Sequence, residues 1–188
     1  VELVASAYSV AEELLSSSLP RRWAHVQGVA ERAKRAAGLF DAAERDLLVA
    51  AAVLHDVGYA PDLVVTGFHP LDGARYLQEA GFPDRVCALI AHHSCAYREA
   101  GIRGLADELE SWDDEAGPLR DALWWADMTT TPEGGRTGVA ARIAEIRERY
   151  GEGDVVTRFI SEAEPELVAA VERTERRLAN ADPGQVAK

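Results

Sequence analysis

The sequence predicts an all-α protein, a compact single-domain helical bundle, on three observations. Apolar residues recur at helical spacing wherever a pattern exists; no segment shows sustained period-two alternation; and Pro, Gly and Asp fall where helices would begin and end. No internal repeat appears.

From Val1 to Leu15 a first helix carries Leu3, Val4, Ala7, Val10, Ala11, Leu14 and Leu15 at helical spacing and runs into Ser16 to Ser18. Pro20 suits the opening turn of a second helix, which turns Trp23, Val26, Val29, Ala30, Ala33 and Ala37 inward and ends near Gly38. His25 lies within its first two turns. Asp41 reads as the N-cap of a third helix, with Glu44 at the reciprocal capping-box position. There LLVAAAVL is apolar on nearly every side, which marks a buried central helix. This helix delivers His55 and Asp56 at its end, and Gly58, Pro61 and Gly67 then mark an irregular loop.

His69-Pro70 opens a fourth helix with Leu71, Ala74 and Leu77 inward and Gly81 as its stop. Pro83 opens a fifth, with Val86, Leu89 and Ile90 inward and His92 and His93 at its far end. From Ser94 to Gly117 the pattern weakens into short helical turns and a mobile connection, and the acidic run Asp107 to Glu115 reads as a solvated face. Pro118 starts LRDALWWADM, a dense apolar helix that carries Asp127 and ends in the TTTPEGG turn. The last third reads as three amphipathic helices, Val139 to Tyr150, Val155 to Ala163 and Glu166 to Ala179. Residues 1–180 are thus expected to form one domain, with a motif-bearing core over 20–131, C-terminal helices over 136–180 and a flexible tail at 181–188.

A chain of 188 residues, 47% hydrophobic and 28% charged, can bury a sizeable core. Its net charge of −12 argues against holding long nucleic acid by counterion release. No run approaches the roughly 18 to 20 apolar residues that span a bilayer, and the first residues lack a signal-peptide pattern. A cytoplasmic protein without membrane partners is therefore expected, with Cys87 and Cys95 as reduced thiols. A homodimer through the C-terminal amphipathic helices is compatible with the pattern.

The candidate metal ligands are His25, His55, Asp56, His69, His92, His93 and Asp127, which include every histidine in the chain. A carboxylate and an imidazole ending an apolar helix are costly to bury unless something compensates them, and a metal ion does so directly. Imidazole with carboxylate suits iron, manganese, zinc, nickel or cobalt, and the absence of cysteine pairs argues against a closed structural zinc site. Asp127, after Leu-Trp-Trp-Ala, has few structural reasons to lie in an apolar helix. Successive helical residues point about 100° apart, so His92 and His93 fit poorly in one coordination shell. His92 is assigned as ligand, and His93 to a place behind the ligands or on the substrate.

A His on one helix, a His-Asp doublet ending an apolar helix and a distant Asp on another apolar helix resemble the HD-domain superfamily of metal-dependent phosphohydrolases. The resemblance covers Pro20 to Thr131. It implies a first metal on His25, His55, Asp56 and Asp127, and a second on Asp56, His69 and His92, with Asp56 as the bridge. One or two divalent ions follow, Fe or Mn before Zn, Ni, Co or Mg. HDVGY is similar to the HDIGK of the cyclic-di-GMP-degrading branch, but Tyr59 stands in place of the lysine, and AHHSCAYREAG lacks that branch's Gly-Tyr-Pro. One-metal nucleotidase members often carry a Glu there as a proton-transfer residue, a role that suits a tyrosine poorly.

The implied function is hydrolysis of a small phosphorylated metabolite, with a nucleotide as the expected class and water activated for attack on phosphorus. Asp56, Asp127 and His93 would be the catalytic residues. Arg21 and Arg22, a turn before His25, together with Arg136 and Tyr59, would bind substrate. The same ligand set would also serve a di-iron oxygenase, or a catalytically silent nucleotide-binding domain.

Overall fold

Every residue from Leu48 to Leu54 is buried, so the apolar stretch that ends in His55-Asp56 forms the axis of the structure. A computed structural model of the chain describes residues 2–181. Among these are ten α-helices, and the sole β pairing is an isolated bridge between Thr130 and Arg136. Around the central α3 (Ala42–Leu54) pack α1 (Glu2–Leu15), α2 (Pro20–Ala36), α5 (Asp84–Ala91) and α8 (Pro118–Met128). Helix α4 (His69–Glu79) lies on α5 and on the turn after Asp56. The outer layer is α10 (Val155–Ala181), which covers α8, α9 (Val139–Tyr150) and α6 (Ala96–Arg103). The short α7 (Ala106–Leu109) follows α6. One apolar core runs through the whole, from Ala7 on α1 to Val171 on α10.

The boundaries have local causes. The Asp41 carboxylate accepts hydrogen bonds from the amides of Ala43 and Glu44, 2.9 Å each, a cap worth about 1 kcal/mol. Glu44 turns to Arg85 at 2.9 Å. Helix α2 ends at Ala36 and tightens into a 3-10 turn over Ala37–Leu39, slightly before Gly38.

Two expectations in the second half are corrected. The helices expected over Val155 to Ala163 and Glu166 to Ala179 are one helix, continuous through Pro165. Proline removes a helical donor and strains the preceding turn by about 3 kcal/mol. Packing outweighs it: Phe159, Ile160 and Ala163 before the proline and Leu167, Ala170 and Val171 after it are all buried on one face. The weak segment after Ser94 contains the eight-residue α6, and the acidic connection is anchored. Trp112 is buried there, while Glu108 pairs with Arg75, Asp114 with Arg120 and Glu115 with Arg85.

No described helix is long and apolar enough to cross a membrane. Both cysteines are free and buried, and burial pushes the Cys87 thiol up to about 11. The tail expected at 181–188 lies outside the described residues except for Ala181, which closes α10.

Candidate metal centre

Five segments deliver the polar residues of the interior to one place. His25 comes from the second turn of α2, His55 and Asp56 from the end of α3, His69 from the start of α4, His93 from just beyond α5, and Asp127 from the end of α8. Two glycine contacts hold these segments close. Gly58 packs its backbone against His69 and Gly73, which sets the His55-Asp56 turn against α4. Gly28 on α2 packs against Gly134, whose φ of +83° is open chiefly to glycine, and so holds the turn after Asp127 against the helix that carries His25.

Backbone carbonyls set the imidazoles. His25 donates from Nδ1 to the Thr131 carbonyl (2.9 Å), His55 to Ala52 (2.8 Å) and His93 to Ile90 (2.6 Å). A carbonyl can only accept, so each ring donates from Nδ1, and its Nε2, the atom free to bind a metal, turns inward. Outer carbonyl partners of this kind orient metal-binding histidines. His69 has its Nε2 3.2 Å from His93 Nε2 and 3.3 Å from Asp56 Oδ1, so its proton bridges acceptors.

The inward atoms converge. His25 Nε2 lies 3.2 Å from Asp127 Oδ1, and His55 Nε2 lies 3.5 Å from Asp56 Oδ1 and 3.8 Å from Asp127 Oδ1. Two donors each about 2.1 Å from one ion at a tetrahedral angle stand about 3.4 Å apart, so these spacings fit shared coordination. Two buried groups could hold an ion, His25 with His55 and Asp127, and His55 with Asp56 and His93. The donor set itself makes the case: His55 Nε2 is buried with no hydrogen-bond partner among the described residues and faces other acceptors. A cation satisfies all of these lone pairs at once.

Protonation states agree with that reading. Burial lowers the His55 imidazole below its ordinary value and lowers His69 well below, so both rings are neutral at pH 7. Burial alone would raise Asp56, but the Arg22 guanidinium, with the histidines, holds its carboxyl well below the usual range. Asp127 is likewise raised by burial and more strongly lowered, first by the His25 imidazole beside it and then by His55 and Arg142. Neutral imidazoles and ionised carboxylates are the states that bind divalent metals.

The structure gathers His25, His55, Asp56, His69 and Asp127, and it corrects the assignment of His92. His92 Nε2 donates to the Trp112 carbonyl at 2.8 Å, away from the cluster, while His93 Nε2 meets His69. The cause is a backbone kink: Ser94 and Cys95 have φ of 47° and 62°, the left-handed region that costs non-glycine residues about 1–2 kcal/mol each. The same kink brings the Ser94 hydroxyl 2.5 Å from Asp127 Oδ2. The sequence reading missed this residue because nothing local signals a left-handed serine.

Of the residues expected to bind substrate, Arg22 donates to Asp56 Oδ2, and its guanidinium lies 3.5 Å over the Tyr59 ring. Tyr59 stacks on His69 with centroids 3.9 Å apart. Arg21 is exposed and bonded to Glu133 at the outer edge. Arg136 is corrected: it lines a separate pocket with Arg32 and Arg35, because the Thr130–Arg136 bridge turns it to the other side of α2.

A chamber of about 80 Å³ lies over the cluster, and beyond it a cleft of about 440 Å³. Arg22, His25, Arg142, Arg149 and Tyr150 line both. The sequence reading missed Arg142 and Arg149, which lie on an amphipathic helix with no local motif to single them out.

A helical bundle that brings imidazoles and carboxylates from separate helices into one buried cluster has a donor set that could hold a metal ion. The chain belongs to the HD domain family, whose model, described as HD domain, matches residues 22–128, more than half of the chain. HD domains bind divalent metals, and the family is generally one of metal-dependent phosphohydrolases. Searches of curated proteins and of solved structures find no match to this chain.

Proposed function

We propose that the protein is a metal-dependent phosphohydrolase that acts on a small phosphorylated metabolite, a nucleotide being the class expected. The observation that carries this reading is the buried imidazole and carboxylate cluster of His25, His55, Asp56, His69, His93 and Asp127 at the floor of a chamber walled by Arg22, Arg142 and Arg149. Cation ligands below and guanidiniums above suit a phosphoryl group between them.

His25, His55, Asp56 and Asp127 would hold one ion, and Asp56, His69 and His93 a second. The Asp56 oxygens face different neighbours, Oδ1 toward His55 and His69 and Oδ2 toward Arg22 and His25, which supports a bridging role. When bound, divalent ions supply Lewis-acid activation of water and neutralise charge on the phosphoryl oxygens. The chain's residues do the rest. Asp127, fixed by the Ser94 hydroxyl, orients the attacking water; Arg22 meets a non-bridging oxygen; and the packed histidines keep bulk solvent out. In the reaction a bond forms from water oxygen to phosphorus, the bond from phosphorus to the leaving oxygen breaks, and a water proton passes to the leaving group.

Tyr59 does not replace a general base. Burial raises its hydroxyl well above the ordinary value, so it stays protonated at neutral pH and serves by its ring, between Arg22 and His69.

The test is phosphate release from a panel of phosphomonoesters and nucleotides by the Mn- or Fe-loaded protein, under nitrogen, with Asp56→Ala beside it. The proposal expects turnover without oxygen and the loss of metal and activity together in the variant. Turnover that depends on oxygen, or Asp56→Ala retaining full activity, contradicts it.

A further inference from the structure

Helix α9 lies beyond the segment that matches the family, yet it walls the chamber over the cluster. Arg142 is only 7% exposed. Its Nη1 donates to Glu145, while its Nε is buried with no hydrogen-bond partner among the described residues. A permanently charged guanidinium with an unpaired buried N–H is one that an anionic acceptor would complete. Glu145 also lies 3.5 Å from Arg149 Nε, so one carboxylate braces two guanidiniums on a single helix face.

The charge pattern agrees. The chain carries a net −12, yet the outer cleft is lined by Arg21, Arg22, Arg142 and Arg149, and among the described residues no carboxylate lines it. A local positive cleft on an acidic protein concentrates small anions at this mouth. Size adds a second constraint. The inner chamber, about 80 Å³, has room for a handful of waters, on the scale of a phosphoryl group, whereas the cleft outside measures about 440 Å³. Leu19, Pro20, Pro132 and Tyr150 give that cleft apolar walls.

We propose that Arg142, with Arg149 beside it and Glu145 positioning both, anchors a terminal phosphoryl group in the inner chamber while the leaving group lies in the outer cleft. This rests on the phosphohydrolase reading and narrows it. The substrate class is a monoester or terminal phosphate, whose phosphoryl group matches the small inner chamber and whose remainder fills the outer cleft.

The experiment is calorimetric titration of the full, Mn-loaded chain with inorganic phosphate, with manganese content measured in every sample. Arg142→Gln should bind phosphate at least about tenfold more weakly, a loss of about 1.4 kcal/mol, with manganese unchanged. Arg142→Lys should fall between, keeping charge but losing the planar fork. Arg149→Gln, on a more exposed side chain, should weaken binding about threefold and carries the test if Arg142→Gln does not fold. Arg136→Gln, in the separate pocket, should match the wild type. Phosphate affinity within about twofold of wild type in both Arg142→Gln and Arg149→Gln, with metal retained, overturns the anchor alone. No phosphate binding by the loaded wild type overturns the phosphohydrolase reading and the anchor with it. Hydrolysis of bis(p-nitrophenyl) phosphate faster than of p-nitrophenyl phosphate overturns the substrate class.

Discussion

Gly58 and His69 meet backbone to backbone: a Cβ on Gly58 would stand 2.0 Å from the His69 carbonyl oxygen and 2.7 Å from the Gly73 amide nitrogen. This contact keeps Asp56 Oδ1 within 3.3 Å of His69 Nε2, across the seam between the ends of two helices. Gly58→Ala is therefore expected to push α4 off the His55-Asp56 turn. Overpacking of this kind costs about 1–3 kcal/mol. A lower melting temperature together with less manganese bound per chain is the expected outcome. Unchanged metal content would show that the seam tolerates displacement.

The two adjacent histidines should separate cleanly. His93→Gln removes an inward lone pair and is expected to lower metal content and activity together. His92→Gln leaves the cluster intact and disturbs the Trp112 carbonyl contact, so it should lower stability by about 1 kcal/mol while metal stoichiometry holds. Metal analysis and thermal melts of both variants check this.

Asp121 supplies a pH dependence away from the metal centre. It accepts from Arg173 at 2.7 and 2.8 Å and from Arg177 at 2.9 Å, tying α8 to α10. Burial would raise its carboxyl, but these two arginines lower it below the ordinary value. A lowered native value contributes stability that is present above the unfolded carboxylate value of about 3.9 and lost as pH falls through the lower native one. Asp121→Asn should thus be less stable than wild type at pH 7, with the gap closing below about pH 4. Denaturant melts at both pH values measure it, and a gap independent of pH would contradict the assignment.

Tyr59 should act through its ring. Tyr59→Phe is expected to leave the shape of the pH–rate profile between pH 6 and 9 unchanged, because the hydroxyl stays protonated well above that range. Tyr59→Ala removes the surface that stacks on His69 and supports Arg22, and should weaken metal binding about tenfold. A basic limb that disappears in Tyr59→Phe would make the hydroxyl a proton donor after all.

The parts of the site that were readable are those where a polar residue contradicts its own element. His55-Asp56 ends an apolar helix, and Asp127 follows two tryptophans, so each needed a partner in the interior. The helix pattern was equally direct around α3, because a helix apolar on all sides can only be central. What escaped depends on tertiary geometry. The choice of His93 over His92 turns on two left-handed residues, Ser94 and Cys95, that are neither glycine nor asparagine. Pro165 suggested a break that packing on both sides overrides. Arg142 reaches the chamber from α9, which packs on α10, and Arg136 misses it where the Thr130–Arg136 bridge closes the turn.

The central claim is that the buried histidines and aspartates form a divalent metal centre. Anomalous scattering at the manganese edge, from crystals grown with saturating manganese, tests it most directly. The account predicts one peak bonded to His25, His55, Asp56 and Asp127 and a second bonded to Asp56, His69 and His93, with none at His92. No anomalous peak at the cluster, or a metal bound through His92, would contradict it.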